Sequence, residues 1–136
     1  MKSLATLIKL QKTRVDEKRQ ELARQMDILE RTERAIAQLA IALVSEQQAA
    51  SQNEESRATY GAWLRAAILR GKALEKERLA NLAAVEAARD KLSEVFSEQK
   101  RYEQAESARL EALRKEEAHK ETVTLDEVGS TRWGRK

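Results

Sequence analysis

The sequence predicts an all-α protein, a long antiparallel two-helix coiled coil whose second helix overhangs the first and ends in a flexible tail. Three observations predict it. Of the 136 residues 36% are charged and 4% aromatic, with four glycines and neither proline nor cysteine, a composition typical of long helices. Aliphatic residues recur at a strict seven-residue step at Ile8, Val15, Leu22, Leu29, Ile36 and Leu43, the mark of a helix that supercoils around a partner. A segment without large apolar side chains, Gln47 to Ser56, then separates this tract from a second one.

The first helix is expected over about 4–49, with Ser3 placed to cap its start. Its companion seam positions include apolar Leu4 and Leu39 but also Gln11, Lys18 and Gln25. So narrow and partly polar a seam suits an elongated pair of helices. Ala35 to Val44 is apolar on more than one face, which fits either local packing or a dimer interface. Ser51 with Glu54 three residues later has capping-box spacing, so the reversal is placed there.

Periodicity resumes at Tyr60, Leu64, Ala67 or Ile68, Leu74, Leu82 and Val85, then at Leu92, Val95 or Phe96, and Tyr102. It continues at Leu110 and Leu113, giving a second helix over about 53–121 and a hairpin domain over 1–121. Thr122-Val123-Thr124 is helix-poor, so 122–136 is expected as a flexible basic tail. Folding back near residue 51 leaves the end of the second helix, with Leu110 and Leu113, uncovered by the first. That end is expected to meet a partner.

Catalysis finds little raw material. His119 is the only histidine and stands among charged residues, and the four glycines are scattered. No phosphate-cradling or nucleophile motif occurs. No enzyme activity, cofactor or metal is expected. A net charge of +3 from 26 basic and 23 acidic residues comes from interleaved signs, and the continuous basic block of a leucine-zipper DNA reader is absent. Nucleic acid is therefore not an expected partner. Met1–Arg14, apolar at Leu4, Leu7, Ile8 and Leu10 and cationic elsewhere, has a membrane-surface pattern as a lesser alternative, and its plain reading is the first turns of the coiled coil. No secretory leader is read at the N-terminus, and no apolar run approaches the ~20 residues of a membrane span.

Two aromatic residues invite a binding role. Trp63 lies in an acid-free basic stretch with Arg57, Arg65, Arg70 and Lys72. It reads either as closure of the seam or as a partner anchor. Trp133 lies beyond the seam in Arg132-Trp133-Gly134-Arg135-Lys136, a cationic-aromatic sequence suited to docking.

The chain resembles the FliJ proteins of the flagellar type III export apparatus over essentially its whole length. The resemblance rests on the charged lead-in Leu4 to Arg14, on Tyr60-Gly61-Ala62-Trp63-Leu64, and most specifically on Leu125-Asp126-Glu127-Val128 with Arg132 and Arg135. Ala67, where a larger aliphatic is usual, and Gly71 depart from the family pattern. The resemblance implies a stalk-like coiled coil at the cytoplasmic face of the inner membrane at the flagellar base. Its implied partners are the hexameric export ATPase, the export gate membrane protein and export chaperones. Leu4, Leu7, Lys12, Leu110, Leu113, Arg132, Trp133 and Arg135 would then face the ATPase. Tyr60, Trp63, Leu64, Ala67, Arg70 and Leu74 would face the gate. A generic coiled-coil scaffold and the equivalent stalk of an injectisome are the alternatives.

Overall fold

The computed structural model describes residues 3–134, with side chains through Ser130. Two α-helices, α1 (Leu4–Gln52) and α2 (Glu54–Gly134), pack against each other as an all-α hairpin. Ser3 caps α1 as expected: its Oγ accepts from the Thr6 amide at 3.2 Å, and its carbonyl accepts from the Leu7 amide at 3.1 Å. The chain forms two compact units, one of Met1–Val15 with Val95–Lys136 and the other of Asp16–Glu94.

The reversal needs a single residue, Asn53, and no described residue takes a positive φ. Asn53 Oδ1 accepts from the Glu55 amide at 2.9 Å, so Asn53, not Ser51, caps α2. Ser51 turns its hydroxyl back instead, donating to the Gln48 carbonyl at 2.7 Å. Arg57 reaches across the turn, where its Nε donates to the Ala50 carbonyl at 3.0 Å. That bond satisfies a carbonyl that the end of α1 would otherwise orphan. Glu54 and Glu55 occupy the first turn of α2, where carboxylates complement the helix dipole.

Burial follows a three-then-four alternation on both helices. On α1 the seam keeps all six members of the seven-residue series buried or half-buried. Its polar positions are real members too: Gln11 and Thr32 are as buried as the aliphatics. On α2, Ala67, Leu74, Val85, Ala88 and Val95 form the covered row, with Leu74 and Val85 only 2% exposed. Ile68, Leu82 and Phe96 fall outside it. At the level where Leu82 was expected, Asn81 takes the seam, and its Nδ2 donates to Thr32 Oγ1 at 2.8 Å. A short amide that finds a partner can occupy so narrow a seam, whereas a leucine one residue on points to its flank. Gly71 also lies in the seam, 3.5 Å from Leu39 Cδ2 to an ideal Cβ.

The C-terminal expectation differs from the structure. α2 continues through 122–134 where a flexible tail was expected. Thr122, Val123 and Thr124 each cost a helix only about 0.5 kcal/mol relative to alanine. Local bonds offset part of this: Lys120 pairs with Glu116 at 3.5 Å, and Thr122 Oγ1 donates to the Ala118 carbonyl at 3.0 Å. With no proline to break it, the helix runs on.

Candidate functional site

Two surfaces carry the residues singled out from the sequence, one in each unit. In the unit of Met1–Val15 and Val95–Lys136, the start of α1 lies along α2. Gln11 Nε2 donates to Glu98 Oε2 at 3.0 Å, and Arg14 approaches the same oxygen at 3.6 Å. Gln11 Oε1 is buried without a hydrogen-bond partner. Leu4 and Leu7 are half-buried and Lys12 is exposed.

Coverage of α2 then stops. Tyr102 and Glu106 are half-buried, and every residue from Ser107 to Val128 is exposed. Leu110 and Leu113 are exposed as expected. Leu125 and Val128 join them, the former 71% exposed. At 100° per residue these four fall within one third of the helix circumference, because each pair repeats after fifteen residues. Leu110 and Leu113 are expected on the overhang, whereas Leu125 and Val128 fall in the segment expected as a tail; the repeated fifteen-residue spacing is the signal that joins them. The side chains of Arg132 and Trp133, and all of Arg135, lie outside the described residues.

Fixed charge borders the stripe. Arg109 donates to both carboxylate oxygens of Glu106, through Nη2 at 2.7 Å and Nε at 3.3 Å. These hydrogen bonds hold the Glu106 carboxyl below the usual carboxylate range, with the guanidinium charge adding to them, and raise the Arg109 pKa in return.

The second surface belongs to Asp16–Glu94. Tyr60 and Trp63 stack with centroids 6.2 Å apart and planes 19° from parallel. Both rings are half-buried, as is Leu64. Ala67 and Leu74 are seam residues, 6% and 2% exposed, and have no surface to offer a partner. Their exposed neighbours are Ile68 at 49% and Leu69 at 67%, beside exposed Arg65, Arg70 and Lys72. Arg70 shares a side of α2 with Tyr60 and Trp63, whereas Ile68 lies across the seam from them and Leu69 on the opposite side of the helix.

Among the described residues no three His, Cys, Asp or Glu side chains converge as a metal site would require. Nor is any described helix long and apolar enough to cross a membrane. No protein-family model, curated protein or solved structure matches the chain.

Proposed function

We propose that the chain is a FliJ-like, non-enzymatic component of flagellar type III export, a stalk that engages the export ATPase ring. The observation that carries this reading is the bare end of α2, exposed from Ser107 to Val128 with an apolar stripe of Leu110, Leu113, Leu125 and Val128. A stalk must offer a ring's interior an apolar contact and charges that steer it into place. The stripe supplies the first, and the basic residues Arg132, Arg135 and Lys136 of the sequence supply the second. The chemistry of export belongs to the ATPase, whose assembly and turnover the stalk promotes.

In this reading the Tyr60–Trp63 stack, with Arg70, meets the gate membrane protein and keeps the chain at the cytoplasmic face of the inner membrane. Export chaperones are the third partner. Support comes from the Leu125-Asp126-Glu127-Val128 motif and from the half-buried aromatic rings beside exposed arginines, a mixture found at binding hot spots.

The test is export-ATPase turnover titrated with the intact chain and with a chain truncated after Glu106. The intact chain stimulates turnover, while the truncated hairpin retains its helicity and has no effect. Equal stimulation by both would sink the proposal.

A further inference from the structure

The start of α1, Leu4 to Arg14, is held on α2 by a poorer seam than the residues that follow it. Beyond Val15 and Val95, 3% and 5% exposed, no described aliphatic residue of their unit is fully buried. The next layer is polar. Gln11 is 5% exposed and its Nε2 donates to Glu98 Oε2, while its Oε1 is buried with no hydrogen-bond partner. An orphaned acceptor opposes burial of the residue that carries it, and release into water satisfies it. Counting outward from the Gln11–Glu98 contact, the antiparallel run sets Leu4 to Ile8 level with Tyr102 and Glu106. Both of these are half-buried, and Tyr102 is the one large apolar side chain α2 offers there.

The lead-in carries more apolar surface than α2 covers. Leu4, Leu7 and Ile8 are only half-buried, and Leu10 is 44% exposed. At 100° per residue, Ile8, Leu4, Leu7 and Leu10 follow one another around about 160° of the helix. Lys9 stands opposite the middle of this arc and Lys12 beside its Ile8 border, both exposed. No acid occurs before Asp16, which itself faces Arg19 at 3.9 Å. The carboxylates of α2 level with the lead-in are engaged elsewhere: Glu98 by Gln11 and Arg14, Glu103 by Gln99, and Glu106 by Arg109.

A short helix with an aliphatic arc and cations around it suits the interface of an anionic bilayer. The aliphatic side chains enter the acyl boundary, and the lysine heads stay among the phosphates. A nucleic acid would meet the lysines and leave the aliphatic arc in water. We propose that Leu4–Arg14 is a releasable strap, which leaves α2 at Val15 and lies on an anionic lipid surface. The cost of leaving is low, since the layer it breaks holds the orphaned Gln11 acceptor. The hairpin of Asp16–Glu94 stays closed throughout. This role does not depend on the export function.

Cosedimentation of the full chain with lipid vesicles tests it and reads no ATPase effect. Vesicles of equimolar phosphatidylcholine and phosphatidylglycerol bind the wild-type chain, and vesicles of phosphatidylcholine alone do not. Lys9→Glu with Lys12→Glu, both at exposed positions, weakens the binding about tenfold or more and leaves the circular-dichroism melt unchanged. Gln11→Cys with Glu98→Cys, in a chain that has no other cysteine, allows the strap to be tied down by a disulfide or a short bismaleimide. The tied chain no longer binds the anionic vesicles, whereas the same variant left untied does. A wild-type chain that binds neither kind of vesicle, or both equally, overturns the proposal, whatever else it captures. Binding by the tied chain at the untied level, or by the charge-reversed chain at the wild-type level, overturns it as well.

Discussion

Gly61 lies within the third turn of α2, in helical conformation, and nothing stands within 4 Å of the position its Cβ would occupy. A helix interior gains about 0.8–1 kcal/mol when glycine becomes alanine without a clash. Gly61→Ala should therefore raise the thermal midpoint by a few degrees in a circular-dichroism melt; an unchanged or lowered midpoint would contradict the open space around it. Asn53 illustrates what single residues disclose before a structure is known. A cap near the seamless segment was legible, because Ser, Asn and two carboxylates stand there together. Which side chain took the cap was not, since Ser51 and Asn53 are equally competent. Asn53 takes it, and the Arg57 guanidinium ties the turn to the Ala50 carbonyl from seven residues away.

At the scale of the helices, the α1 seam was legible because its aliphatics keep one interval throughout. α2 was less so. Its covered row passes through Ala67, Gly71, Asn81 and Ala88, residues that a search for large apolar side chains overlooks in favour of Ile68 and Leu82. The Thr32–Asn81 bond suggests why a polar pair is kept there, as buried polar contacts can specify register at a cost in stability. Replacing both, Thr32→Val with Asn81→Leu, should raise the melting midpoint. It should also broaden spin-label distances between the helices as alternative registers become accessible. A lower midpoint with unbroadened distances would reject this role.

Acid exposes a second property of the helices. Arg78 donates to Glu75 at 2.7 and 3.0 Å, and this bonding, with the guanidinium charge behind it, holds the Glu75 carboxyl below the usual carboxylate range. Glu106 is lowered in the same way by Arg109. A carboxyl with a lowered folded pKa contributes its stability above the unfolded value, about 4.3 for glutamate, and loses it as pH falls through the folded one. Melting midpoints should thus hold down to that pH and decline below it. Glu75→Gln with Glu106→Gln should flatten the acid-side decline, and an identical decline in the variant would remove these pairs from the account.

For the molecule as a whole, the two-helix architecture and the bare end of α2 were legible, because periodicity and its interruption are long-range signals. Surfaces were read less well. Ala67 and Leu74, expected to face a partner, belong to the covered seam, and Leu125 and Val128, expected in a flexible tail, extend the exposed stripe of the helix. Sequence spacing says that a residue is apolar and on which helix it lies, but a shift of one position turns it from the covered row to solvent. The hairpin connectivity has a further consequence, for the order of assembly. Arg57 meets the Ala50 carbonyl across 7 residues of chain, Asn81 meets Thr32 across 49, and Gln11 meets Glu98 across 87. Closing the widest of these directly from an open chain costs about 2 kcal/mol more in entropy than closing the narrowest. Once the turn at Asn53 has formed, each new pair lies next to one already made, and that penalty is spread over many small steps. Folding should then proceed like a zipper drawn from Asn53 toward the termini, with the Gln11–Glu98 contact the last of these three to close and the first to open.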